Sequence, residues 1–98
     1  RDDVESRGLG DVYKRQDDTF ISKGIPVIID ETGCVNKNEN TSARVAWFSY
    51  YLSAAKKHGI KCFIWDNNET KNGFGLLNRK DCTWYYPEII QAIQDATK

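Results

Sequence analysis

Two apolar runs in this chain each end in a residue suited to handling a sugar. Ile25-Pro26-Val27-Ile28-Ile29-Asp30-Glu31 leads into Thr32-Gly33, and Lys61-Cys62-Phe63-Ile64-Trp65 leads into Asp66-Asn67-Asn68. A carboxylate beside a flat aromatic surface is what cleavage of a glycosidic bond needs, one group for the anomeric carbon and one as an apolar seat for the ring. Each residue also has a plainer use. Glu31 would serve equally to satisfy loop amides or a lysine, and Trp65 on pattern alone reads as a core residue. Asn67, with Asp66 and Asn68, suits either the binding of hydroxyls or the forming of a turn. Trp84, Tyr85 and Tyr86 read as anchors for the helix that follows them.

The residues around these runs show how they are positioned. The run from Ile25 to Glu31 is β-branched and almost unbroken in apolarity, the pattern of a strand covered on both faces in a parallel sheet. Asn40, Thr41 and Ser42 are N-cap candidates, and Val45, Phe48, Leu52 and Ala55 then fall on one helical face. Lys56, Lys57 and His58 complement the helix dipole, and Gly59 stops the helix, so His58 reads as a capping residue rather than a catalytic base. A second strand runs from Ile60 to Trp65, a loop from Asp66 to Asn78, and a last helix starts near Pro87 with Ile89, Ile90 and Ile93 as its apolar face. Counting by twos places Ile25, Val27 and Ile29 on the face of Glu31, and Lys61 and Phe63 on the face of Trp65. Ile28, Cys62 and Ile64 should then face the helices.

Strand, helix, strand, helix with short crossovers implies parallel strands and right-handed connections. Two such units leave both sheet edges open, whereas a closed (β/α) barrel takes about 250 residues. The expected fold is therefore α/β, as the C-terminal βαβα quarter of a (β/α)8 TIM barrel, with functional groups at the C-terminal ends of strands seven and eight. Residues 17–98 form that quarter. Residues 1–16 are polar and aperiodic, and Ser6 to Gln16 looks like a translated sequencing adapter, so this stretch is expected to be a leader that does not pack.

Bulk properties exclude several classes. The 98 residues allow one domain at most, and lysine plus arginine equals aspartate plus glutamate at 14 each. A net charge of zero offers nothing to nucleic acid or to an anionic membrane surface. No apolar run approaches the roughly 18 residues of a membrane span. Cys34, Cys62 and Cys82 lack a metal-ligand spacing. Cys34 and Cys62 would lie roughly 20 Å apart along parallel strands, too far for a disulfide; Cys34 with Cys82 is geometrically open, and three free thiols are the plainer expectation. Asn40-Thr41-Ser42 and Asn68-Glu69-Thr70 match glycosylation acceptors, a short motif that matters only in a eukaryotic secretory host.

The segment Ile25 to Gly33 resembles the seventh-strand motif of glycoside hydrolase family five, in which an apolar strand runs into Gly-Glu-aromatic-Gly. Phe63-Ile64-Trp65-Asp66-Asn67 resembles the eighth-strand Trp-Trp-Asp-Asn motif of that family. Leu76-Leu77-Asn78-Arg79-Lys80 and Thr83-Trp84-Tyr85-Tyr86-Pro87-Glu88-Ile89-Ile90 are similar to the closing segment of bacterial endo-β-1,4-glucanases. The resemblance covers about residues 18 to 98, with Asp30 in place of a glycine, Thr32 of an aromatic and Ile64 of the first tryptophan.

The resemblance implies a retaining endo-β-1,4-glucanase acting on β-linked glucan, with Glu31 as nucleophile and Trp65 and Asn67 as substrate-binding residues. It implies no cofactor and no metal, secretion, and a monomeric full-length protein. The acid/base partner comes from an earlier strand, in an Asn-Glu pair upstream of these residues, so the chain alone is expected to be inactive. Asp30 should affect Glu31 little, since adjacent strand residues point to opposite faces. Two rival readings are a non-catalytic carbohydrate-binding barrel fragment and a phosphate-binding quarter of another barrel. The Asn- and acid-rich loops argue against the second.

Overall fold

The computed structural model describes residues 12–98. A helix over 12–19 (α1) passes through a 3-10 turn at Ile21–Lys23 into strand β1 (Ile28–Thr32). Helix α2 (Thr41–Lys57) crosses to strand β2 (Lys61–Ile64). A two-residue hairpin, β3 (Leu77–Asn78) and β4 (Thr83–Trp84), then leads to helix α3 (Pro87–Ala96).

β1 and β2 pair in parallel, as the short helical crossover requires. The ladder starts at Ile28, three residues later than the apolar run. Pro26 has no N–H to give, and the Ile25 amide is already donated to the Phe20 carbonyl at 2.9 Å. At the other end, Trp65 N–H donates to Thr32 O at 2.8 Å, so the two strand tips are stitched together beside Glu31.

The register contains a bulge. Ile28 lies opposite Lys61 and Ile29 opposite Cys62, but Thr32 lies opposite Ile64, so Asp30 and Glu31 share Phe63. This overturns the face expected for β1. Val27 and Ile29 pack toward the helices against Ala55 and Ile60. Ile28 lies on the open face at 59% exposure. Ile29 packs inward and Thr32 is buried, and both Asp30 and Glu31 between them are exposed. β2 has no bulge and follows the count: Cys62 and Ile64 pack on the core, and Phe63 is 58% exposed.

Helix α2 carries the core stripe. Phe48 and Leu52 pack with Leu76 and Ile89, and Ala55 packs with Ile60. Asn40 precedes the helix but does not cap it through its side chain, which instead accepts from Lys37 N–H at 2.8 Å. The C-terminus closes as expected. Gly59, at φ 72°, lets its own amide reach Lys56 O at 3.0 Å and the Ile60 amide reach Ala55 O at 2.9 Å. His58 is the cap residue, and its Nδ1 lies 3.0 Å from Asp17 Oδ2, which ties α1 to this end of α2.

Residues 1–11 of the expected leader lie outside the described residues. Residues 12–16 depart from the expectation: they are helical, and Tyr13 is only 2% exposed, buried against Ala55 and Ile60. The reason is a slot between the end of α2 and the start of β2 that an aromatic ring fills, which a stretch too short to show a period does not advertise. Burial, with Cys62 and Tyr51 adding to it, pushes the Tyr13 phenol up to about 12. Cys34, Cys62 and Cys82 form no disulfide, and burial raises the Cys62 thiol, the neighbouring Thr32 pulling the other way.

Candidate active site

Glu31 and Trp65 emerge at the same end of the parallel pair. Glu31 is exposed and Trp65 is 42% exposed. The bulge brings this about. It lets Thr32 bury its side chain while Glu31 stays on the open face.

The loop after β2 packs against the backbone that follows Glu31. A Cβ placed on Gly33 would stand 2.8 Å from Phe74 Cδ1 and 3.6 Å from Trp65 Cβ, so the Phe74 ring lies over the backbone that follows Glu31, and the base of the Trp65 side chain also approaches Gly33. Only glycine permits this approach. Phe74 is an aromatic neighbour that the sequence reading missed. Its one signal is its place between Gly73 and Gly75 in a loop that otherwise reads as polar.

Asp66 holds that loop to the hairpin. Its Oδ1 accepts from Asn68 N–H at 2.8 Å, and its Oδ2 accepts from both Leu76 N–H and Leu77 N–H at 3.0 Å. Arg79 Nη2 lies 3.7 Å from Oδ1 and donates to the Asp66 carbonyl at 3.2 Å. Burial works against the charge. The Leu76, Asn68 and Leu77 amides and the Arg79 cation outweigh it and hold the carboxyl below its usual range. Asn67 Oδ1 accepts from Glu69 N–H at 3.2 Å and Phe74 N–H at 3.0 Å, so this side chain does form the turn.

Behind the site lies a buried polar cluster. Asn36 N–H donates to Gly73 O at 2.8 Å, and Asn36 Nδ2 donates to Thr70 O at 2.7 Å and to Tyr86 Oη at 2.8 Å. Arg44, fully buried, donates from Nε to Cys34 O at 3.0 Å and lies with its guanidinium 5.0 Å from the centre of the Tyr86 ring. Tyr86 therefore does anchor the last helix, whereas Trp84 and Tyr85 are exposed. Sequence reasoning gave Arg44 no role, because a charged residue beside Val45 reads as solvated. Among the described residues no group of three His, Cys, Asp or Glu side chains is placed to hold a metal ion, and no helix is long and apolar enough to cross a membrane.

Parallel strands whose following loops gather over a carboxylate and an indole make the kind of site that β/α barrel enzymes carry at their strand ends. Comparison with known proteins gives the family. Residues 2–71 match the model of Cellulase (glycosyl hydrolase family 5), and the chain belongs to that family. The match begins at residue 2 and runs through the whole of the stretch, Ser6 to Gln16, that looks like an adapter. Endoglucanase A of Clostridium longisporum is 53% identical over 79 residues, 76% of this chain and 15% of that protein. Endoglucanase 1 of Ruminococcus albus is 44% identical over 95 residues, 94% of this chain and 23% of that protein. Among solved structures, a mutant of the glycoside hydrolase 5 lichenase from Caldicellulosiruptor sp. F32 in complex with cellotetraose superposes with a TM-score of 0.88 at 42% identity, over 94% of this chain and 25% of that one. The chain thus spans about a quarter or less of the proteins it resembles, and corresponds to a small portion of a barrel.

Proposed function

We propose that this chain is the C-terminal quarter, strands seven and eight with their helices, of a secreted retaining endo-β-1,4-glucanase. The observation that carries the reading is the placement of Glu31 and Trp65 at adjacent parallel strand tips in a chain of this family. The face that bears them also exposes Ile28 and Phe63, apolar side chains suited to the interior of a closed barrel. In this reading β1 and β2 are the last two strands of that barrel.

Glu31 attacks the anomeric carbon of a bound β-glucan, and the glycosidic C–O bond breaks as a covalent glycosyl-enzyme forms. A second carboxyl, about 5–5.5 Å away and supplied by an earlier strand, protonates the leaving oxygen. It then takes a proton from the water that releases the sugar. Trp65 is the platform for the ring at the cleaved bond. Asn67 offers its Nδ2 to a hydroxyl, since its Oδ1 is engaged by the loop. The described residues hold half of the catalytic pair, so activity belongs to the full-length protein.

The test is made in the full-length enzyme. Glu31→Gln keeps the shape of the side chain and removes the nucleophile, so turnover should fall by several orders of magnitude while oligosaccharide binding survives. Azide should restore turnover of an activated aryl glycoside by the Glu31→Ala variant, giving a glycosyl azide of inverted configuration. Trp65→Ala should lower turnover and affinity together. Near-normal hydrolysis by Glu31→Gln would show that Glu31 only supports the loop.

A further inference from the structure

Asn36 stands five residues after Glu31 in a loop that reads from sequence as simply polar, yet it is only 7% exposed. Its three bonds all leave its own loop. The backbone N–H goes to Gly73 O at 2.8 Å, and Nδ2 goes to Thr70 O at 2.7 Å and to Tyr86 Oη at 2.8 Å. Gly73 and Thr70 belong to the loop that carries Phe74, and Tyr86 stands at the entrance of α3. From below, Arg44 fixes the same loop by donating Nε to Cys34 O and packing its cation on the Tyr86 ring.

We infer that Asn36 is a positioning residue for the hydrolysis, a clasp that joins the loop following the nucleophile to the loop following the aromatic platform. The strand tips below are already joined by Trp65 N–H and Thr32 O. Beyond that bond, Asn36 holds the Gly73 and Thr70 carbonyls in place and so keeps Phe74 on Gly33, the glycine that Trp65 Cβ also approaches. Asn36 touches no reacting atom in this scheme. It fixes the height and tilt of the platform relative to Glu31, and misplacement of a positioned group by about 1 Å is enough to lower a rate by about 100-fold. The inference rests on the assignment of Glu31 and Trp65 made above.

Asn36→Asp in the full-length enzyme is the direct test, because the shape is kept while the Nδ2 donor is replaced by an acceptor that faces Thr70 O and Tyr86 Oη. Active sites are counted by trapping the covalent intermediate with a 2-deoxy-2-fluoro-β-cellobioside bearing a dinitrophenolate leaving group. Turnover of β-glucan is then expressed per trapped site. The expected result is a fall in kcat per site of about 10- to 100-fold, with KM changed less than threefold. Tyr86→Phe, which removes one of the two Nδ2 acceptors and keeps the ring under Arg44, should show a smaller fall in the same direction. A residue that merely supports folding would lower the number of trapped sites and leave kcat per site at the wild-type value, and that outcome would overturn the inference. If Glu31→Gln is inactive and Asn36→Asp is normal per site, only the clasp falls. If Glu31→Gln is active, the functional assignment falls first.

Discussion

Asp66→Asn changes one atom of the site's scaffold, and its effect can be worked from the contacts. The carboxylate accepts three backbone amides, from Asn68 at 2.8 Å and from Leu76 and Leu77 at 3.0 Å. An amide has one acceptor oxygen. Turned toward Leu76 and Leu77, it keeps two of these bonds and leaves the Asn68 amide facing an NH2 group. Loss of one charge-assisted bond costs about 1.5–3 kcal/mol, and the two that remain weaken once the charge is gone. Arg79 is half exposed and adds little. The sum is about 2–4 kcal/mol, against opening of this loop rather than of the whole fold. Hydrogen exchange of the Asn68, Leu76 and Leu77 amides in the full-length protein should therefore quicken by about 30- to 1,000-fold. The effect also depends on pH. The folded carboxyl lies below its usual value, so its contribution is complete above the unfolded pKa of about 3.9 and is lost as pH falls through the folded one. The gap in protection of these amides between wild type and Asp66→Asn should be full at pH 5 and above, and should shrink in more acid solution. Exchange rates within threefold of wild type, or a gap that ignores pH across this window, would refute the account.

Two further outcomes test the packing around the site. Tyr13→Ala should destabilise the protein by about 3–5 kcal/mol, read from thermal or urea melting, and a loss below about 1 kcal/mol would mean that residues 12–19 do not dock. The same ring should ionise near pH 12 in an ultraviolet titration, its contribution complete below the unfolded value of about 10 and lost as pH rises through about 12. Gly33→Ala should cost about 1–3 kcal/mol by forcing the Phe74 ring aside. Combining it with Phe74→Ala should abolish that cost, and strictly additive effects in the double-mutant cycle would place the ring elsewhere.

The legible parts of the fold were those in which sequence and environment repeat one message over several residues. The apolar run before Glu31, the stripe through Phe48, Leu52 and Ala55, the stop at Gly59 and the start at Pro87 each state an element, and together they state a parallel pair with Glu31 and Trp65 at one end. What was not legible depends on single long-range contacts. Arg44 looks solvated until Tyr86 and the Cys34 carbonyl are brought to it. Asn36 looks like any loop asparagine until Thr70, Gly73 and Tyr86 arrive from 34 to 50 residues away. The hairpin of β3 and β4 is two residues deep, shorter than any pattern can show, and owes its base to Asp66 and its turn to Cys82 at φ 60°.

The bulge in β1 shows most directly how the site depends on a feature that no period reveals. Strict alternation from Ile29, which faces the helices, would carry Asp30 to the open face and return Glu31 to the helix side. The carboxylate would then meet the apolar layer in which Val27, Ile29 and Ala55 pack, and the charge would be expelled or protonated. Two residues against Phe63 resolve the conflict. Ile29 and Thr32 both stay inward, three positions apart instead of two or four, and the chain between them turns outward with Glu31 at its tip. Nothing at Asp30 marks this, since its φ is negative and no glycine or proline interrupts the run. The signal lies in the burial of Thr32, a polar residue placed where alternation from Ile29 would put an exposed one. The device that places Glu31 on the open face is thus the same one that makes the sequence misstate which isoleucines share it.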